Sequence, residues 1–137
     1  MRPEDLYSDV VMFHYKNSSH KGKIKNPTAE QEGSNLSCGD SLHLYIELNG
    51  DILEKVTFDG HGCAVSIASA SILADLVEGK SKEEAVEIIQ EFYKMIKGED
   101  FNAELLGDAM VFENLKQFPV RVKCATLAWH TLEQLLK

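Results

Sequence analysis

The chain has 137 residues, 44% of them apolar and 26% charged, which predicts one globular domain over residues 1–137. A formal net charge of −8 argues against a nucleic-acid partner, because phosphate binding needs a basic surface. No apolar run approaches the roughly 18 residues of a membrane span, and Met1–Asp5 lacks a secretion signal pattern, so we predict a cytoplasmic protein without a membrane partner.

The residue pattern of the first half of the chain predicts a helix followed by a small sheet. Apolar residues at helical spacing predict a helix over Leu6–Tyr15, and a short edge strand is expected near Thr28–Glu32. Strict alternation over Leu42–Leu48 predicts a half-buried strand. Asn49-Gly50 is a strong hairpin signal, and Ile52–Phe58 is then the returning strand.

The second half of the chain is helical. Ala64–Val77 is a helix of small residues, and a capping box from Ser81 to Glu84 opens the next helix, which Gly98 ends. Glu99–Lys116 is less periodic, and the last helix is expected over roughly Val122–Leu136. The predicted fold is α+β: a small antiparallel three-stranded sheet with helices packed on one face.

Three cysteines occur at predicted element boundaries, and an odd number argues against a complete disulfide framework. Cys38 precedes the alternating strand with Asp40 two residues later, while Cys63 and Cys124 fall at predicted helix starts. A helix N-terminus stabilises the thiolate form, which is the form that binds metal and attacks sulfur. Arg121 and Lys123 add positive charge beside Cys124.

The positions of these residues suggest a shared site but do not prove one. Zinc accepts thiolate and carboxylate ligands in a tetrahedral set, so the three thiols and Asp40 form a candidate four-ligand group. His61, two residues before Cys63, is an alternative ligand. The competing interpretation is three unrelated buried thiols, since a free cysteine often behaves as a small hydrophobe.

Three motifs together resemble the IscU/NifU N-terminal family of iron–sulfur assembly proteins. They are Cys38-Gly-Asp40, Phe58-Asp-Gly-His-Gly-Cys63 before the small-residue helix, and Arg121-Val-Lys-Cys124. The resemblance implies an IscU/SufE-like fold. It also implies that Cys38, Asp40, Cys63 and Cys124 hold zinc or a transient [2Fe-2S] cluster and accept sulfur from a cysteine desulfurase.

Two departures make the chain most similar to the SufU branch of that family. Lys123 stands where scaffold-type members carry a histidine, and Glu99–Val111 adds residues before the third cysteine motif. The resemblance then implies a zinc-dependent sulfurtransferase, in which Cys38 accepts persulfide sulfur from a SufS-like desulfurase. Cys63, Cys124 and Asp40 remain metal ligands, with Arg121 and Lys123 in support. Downstream scaffold or acceptor apoproteins are the expected further partners.

Three alternatives stay open at the level of sequence. The chain could be a scaffold that assembles and transfers a [2Fe-2S] cluster, or a structural zinc domain used for protein binding. It could also be an enzyme with a nucleophilic Cys38 or Cys63 paired to His61 and to Asp40 or Asp59, although such pairing cannot be read from sequence order.

Overall fold

The structure, a computed structural model, describes residues 8–35 and 39–137. Within these ranges the helices and strands follow in the order α1 (Asp9–Asn17), β1 (Ala29–Asn35), β2 (Asp40–Asn49), β3 (Ile52–His61), α2 (Ala64–Val77), α3 (Lys82–Lys97) and α4 (Pro119–Leu135). The predicted start of the first helix at Leu6 lies outside the described residues, and in the described part Ser8 is the N-cap of α1.

The sheet is antiparallel with β2 in the middle, in the order β1-β2-β3. The predicted hairpin is present: Asn49 pairs with Ile52, and Gly50 and Asp51 form the turn, where Gly50 has a φ of 61°. Both outer strands extend further than the sequence predicts: β1 continues to Asn35, which pairs with Asp40, and β3 continues to His61, which pairs with Ser41. With these extensions, the end of β1, the start of β2 and the end of β3 lie together at one end of the sheet.

The helices cover the face of the sheet that carries the alternating apolar side chains, as predicted. Leu42, Leu44 and Ile46 are buried on this face, and α2 and α4 pack over it. The α4 helix approaches β1 closely because Gly33 has no side chain; a Cβ at this position would clash with Thr131. Each buried aliphatic side chain contributes roughly 1.5–3 kcal/mol to folding.

The α2, α3 and α4 helices meet around Trp129, which is fully buried. Its ring stacks on Phe92 with centroids 3.7 Å apart, and its indole N–H donates to Ser69 Oγ at 2.8 Å. Trp129 is therefore a packing residue. Nearby, burial and the Glu133 carboxylate raise the pKa of Tyr93, so its phenol stays protonated and donates to Glu133.

The predicted caps of α3 are present. Ser81 and Glu84 form the capping box, and Gly98 ends the helix with a φ of 82°. Hydrogen bonds from Ser81 hold the pKa of Glu84 below its usual range. The segment that follows contains three short 3₁₀ helices, at Ala103–Leu105, Gly107–Phe112 and Leu115–Gln117. No helix in the described part of the chain is long and apolar enough to cross a membrane.

Candidate metal centre

Three of the four predicted ligands lie close together at the end of the sheet that holds Asn35, Asp40 and His61. Asp40 is the first residue of β2, Cys63 is the N-cap of α2, and Cys124 lies on α4. One ligand atom from each of these residues lies within 4.8 Å of the other two. Residues that are far apart in sequence thus converge on one point because β3 leads directly into α2 and because α4 packs across α2.

The fourth predicted ligand, Cys38, lies outside the described residues, and its role stays a prediction. His61, the alternative ligand, ends β3 with an exposed side chain and is not part of the cluster formed by Asp40, Cys63 and Cys124.

Asp40 is held by both of its carboxylate oxygens. Asp40 is buried, with only 2% of its surface exposed. Oδ1 accepts the backbone N–H of Cys63 at 2.9 Å, and Oδ2 accepts the hydroxyl of Ser66 at 2.6 Å. Hydrogen bonds to a carboxylate are shorter and stronger than neutral ones, so the carboxylate is anchored to the first turn of α2. Each oxygen keeps a further lone pair that can face a metal.

Cys63 is half-buried and begins α2, as the sequence predicts. Its backbone has the extended conformation of an N-cap, and its side chain makes no capping hydrogen bond. The Sγ atom lies 3.6 Å from Ser66 Oγ, on the same side of the helix end as Asp40. Its sulfur therefore lies beside the Asp40 carboxylate without capping the helix.

The expectation that Cys124 opens the last helix is wrong. The helix begins at Pro119, which is favoured at the first helical position because its missing N–H has no intrahelical partner there. Cys124 lies in the second turn and is fully buried. A helix N-terminus therefore cannot be the reason for a thiolate at this position. The positive charge comes from Arg121, whose Nη1 lies 3.9 Å from Cys124 Sγ.

Arg121 and Lys123, the two predicted supporting residues, have different surroundings. Arg121 contacts the sulfur of Cys124, whereas Lys123 is exposed on α4 and lines an open cleft of about 260 Å³ between α4 and the end of β1. Asn35, which sequence analysis did not single out, lines the same cleft and directs its side-chain amide at Cys124 Sγ from 3.8 Å.

Two thiols and one carboxylate make a donor set that suits zinc, which takes sulfur and oxygen ligands at four-coordinate sites. The contacts support this assignment: the carboxylate is fixed by N–H and O–H donors, and both sulfurs lie beside it. The three described residues fit a zinc site and leave one ligand position for a fourth group.

The family model described as "NifU-like N terminal domain" matches residues 6–125 of the chain. The chain belongs to this family. Two bacterial proteins of this family match the chain over most of its length. The zinc-dependent sulfurtransferase SufU of Bacillus subtilis is 39% identical over 132 residues, which cover 96% of this chain and 89% of that protein. The iron–sulfur cluster assembly scaffold protein IscU of Thermotoga maritima is 36% identical over 132 residues, which cover 96% and 93%.

Solved structures of this family share the fold described above. A putative iron–sulfur cluster assembly scaffold protein for the SUF system from Fervidobacterium islandicum superposes with a TM-score of 0.95 at 40% identity, covering 99% of this chain and 100% of that one. The N-terminal part of a NifU-like protein from Brucella abortus reaches a TM-score of 0.88 at 19% identity and so shares the fold alone. The α+β architecture expected from sequence is confirmed.

Proposed function

We propose that this chain is an iron–sulfur cluster assembly protein that binds zinc and accepts persulfide sulfur from a cysteine desulfurase. The observation that carries the proposal is the convergence of Asp40, Cys63 and Cys124 within 4.8 Å. Membership of the NifU-like family and the similarity to a named zinc-dependent sulfurtransferase support the same function.

In this proposal Asp40, Cys63 and Cys124 hold zinc, with Cys38 as the fourth ligand. When bound, zinc keeps its cysteine ligands deprotonated and therefore reactive toward sulfur. The chain itself supplies the anchored carboxylate through Cys63 N–H and Ser66, and the positive charge of Arg121 beside the Cys124 sulfur.

Cys38 is the proposed acceptor. Cys124 is fully buried and Cys63 is half-buried, so neither offers a bulky protein donor easy access to its sulfur. The Cys38 thiolate bonds to the terminal sulfur of the donor's cysteine persulfide, and the donor's S–S bond breaks. The electron pair of that bond leaves on the donor cysteine as a thiolate, the transferred sulfur keeps its proton, and no net oxidation occurs.

The partners follow from this reaction. The sulfur donor is a SufS-like cysteine desulfurase, and the sulfur is passed on to a downstream scaffold or to acceptor apoproteins in the cytoplasm. The chain acts as a sulfurtransferase whose turnover depends on these partners, and neither nucleic acid nor a membrane takes part.

The direct test of the proposal is mass spectrometry after incubation with a SufS-type desulfurase and cysteine, combined with metal analysis. We expect about one zinc per chain and the mass of one added sulfur atom on Cys38. Cys38→Ala should lose the adduct, whereas the control Ser41→Ala, which changes a side chain on the same strand as Asp40, should keep it. An adduct on Cys63 or Cys124 would contradict the acceptor assignment, and protein purified without chelators that contains neither zinc nor iron would contradict the metal centre.

A cluster scaffold is the second candidate function, favoured by the similarity to the IscU of Thermotoga maritima. Anaerobic reconstitution with iron and sulfide separates the two candidates. A coloured cluster that moves to an acceptor apoprotein would support the scaffold, whereas a colourless zinc protein that accepts sulfur would support the sulfurtransferase. A zinc protein that accepts no sulfur would instead be a structural zinc domain.

A further inference from the structure

One buried hydroxyl contacts all three described ligand residues. Ser66, on the first turn of α2, has no exposed surface. Its Oγ lies 2.6 Å from Asp40 Oδ2, 3.2 Å from the backbone carbonyl oxygen of Cys124 and 3.6 Å from Cys63 Sγ. In the sequence, Ser66 is only one of the small residues of the helix Ala64–Val77.

The hydroxyl has one proton to donate, and the distances indicate where it goes. Asp40 Oδ2 is the nearest acceptor and carries charge, so it takes the proton in preference to the neutral Cys124 carbonyl. A Cys63 thiolate has no proton to offer, so Ser66 cannot accept from it when metal is bound. The main task of this hydroxyl is therefore to hold the Asp40 carboxylate.

We propose that Ser66 is a positioning residue of the metal centre, acting by fixing Asp40 in the orientation of a ligand. The inference rests on the proposed zinc site. Without Ser66, Asp40 Oδ2 loses its hydrogen-bond donor in a buried setting, and the carboxylate keeps only the Cys63 N–H on its other oxygen. Partners that orient a ligand in this way typically change metal affinity by about 10- to 100-fold when they are removed.

Ser69 offers a matched control. It lies one turn further along α2, is equally buried, and donates to the Ala125 carbonyl of α4 at 2.6 Å, much as Ser66 approaches the Cys124 carbonyl. Ser69 Oγ also accepts the indole N–H of Trp129, and it forms no hydrogen bond with the three described ligands. Ser69→Ala therefore reports the loss of a buried serine between the same two helices, apart from any effect on Asp40.

The test is a double-mutant cycle on zinc affinity, measured by competition with a chromophoric chelator. We expect Ser66→Ala to weaken zinc binding by about 10- to 100-fold, while Ser69→Ala changes it by less than about 3-fold. In an Asp40→Ala background, where the carboxylate is absent, Ser66→Ala should change the affinity by less than about 3-fold. A loss of equal size in both backgrounds would overturn the inference, because the serine would then act without Asp40.

Cobalt gives a second readout that a purely structural role of Ser66 would not move. The visible spectrum of Co²⁺-loaded Ser66→Ala should shift toward that of Asp40→Ala, while Ser69→Ala should keep the wild-type spectrum. If wild type binds zinc and Ser66→Ala has the same zinc affinity and Co²⁺ spectrum as wild type, this inference alone is overturned. Wild type that binds no zinc would overturn the proposed function as well, so the two failures can be told apart.

Discussion

At the scale of single residues, the lack of a side chain at Gly62 leaves room for the Asp40 carboxylate. A Cβ built on Gly62 would lie 2.7 Å from Asp40 Oδ1, closer than real side chains approach. The absence of a side chain lets the carboxylate come within hydrogen-bond distance of the Cys63 backbone N–H. The glycine before Cys63 is therefore required by the position of the Asp40 carboxylate rather than by the turn.

Gly62→Ala should keep the fold and weaken zinc binding by about 10-fold, in the range seen when contacts that orient a ligand are lost. The fold should survive because the displaced atom is the end of a side chain, and because the φ of Gly62 lies outside the left-handed region. Chelator competition measures the affinity, and circular dichroism checks the fold.

Gly79→Ala is the control for this prediction. Gly79 has a φ of 86°, so alanine strains the backbone there, but a Cβ meets no atom within 4 Å. This variant should lose stability and keep its zinc affinity. Equal zinc affinity in Gly62→Ala and wild type would show that Asp40 binds from a different orientation, or does not bind.

The candidate ligands could be proposed from the sequence, whereas the residues that contact them could not. Asp40 and Cys63 stand beside glycines in short motifs, so their chemistry is visible locally. Ser66 and Asn35 carry no such signal, because their contacts with Asp40 and Cys124 depend on the packing of α2, α4 and the end of β1. A serine in a small-residue helix looks the same whether or not it binds a carboxylate.

At the scale of helices and strands, a buried histidine on α1 forms hydrogen bonds with two other elements. His14 is 4% exposed, and its two ring nitrogens contact Ser71 Oγ on α2 at 2.8 Å and Asp108 Oδ2 at 3.0 Å. Asp108 belongs to the 3₁₀ helix Gly107–Phe112, between α3 and α4. One side chain thus joins three elements that are far apart in sequence.

His14→Ala should lower the free energy of unfolding by about 2 kcal/mol, because it leaves a buried Ser71 hydroxyl without its partner and opens a cavity. Phe13→Ala is the matched control: the neighbouring side chain is 59% exposed, so its removal should cost less than about 0.5 kcal/mol. Urea denaturation measures both values. A His14→Ala variant as stable as Phe13→Ala would show that α1 is held by Val11 and its apolar neighbours alone.

The sequence predicted which elements exist better than where they end. Alternation and Asn49-Gly50 identified β2 and β3, but β3 continues to His61 because Ser41 is available to pair with it. The polar residues of β1 form a strand only because β2 lies beside them. The last helix begins three residues before the predicted Val122, at Pro119, which a stricter use of proline's preference for helix starts would have found.

At the scale of the whole molecule, the candidate centre joins the sheet to two helices. Asp40 belongs to β2, Cys63 to the start of α2, and Cys124 to α4. The apolar core touches this centre, since Cys124 belongs to it and Cys63 packs against it, but the core extends well beyond the centre. Its fully buried aromatic residues Phe58, Phe92 and Trp129 are not proposed ligands. Metal is therefore expected to stabilise a fold that the core already specifies, unlike the smallest zinc domains, which unfold without it.

Removing zinc with a chelator should lower the unfolding temperature and leave the fold intact at 25 °C. Free zinc at about 100 times its dissociation constant stabilises by about 2.7 kcal/mol, which corresponds to roughly 10 °C for a chain of this size. Scanning calorimetry measures the shift, and the near-ultraviolet signal of the buried Trp129 reports the core in the metal-free protein. The Asp40→Ala variant should show a smaller shift on chelation because it binds zinc more weakly. Cooperative loss of the Trp129 signal on chelation at 25 °C would mean that the metal, and not the apolar core, holds the sheet and helices together.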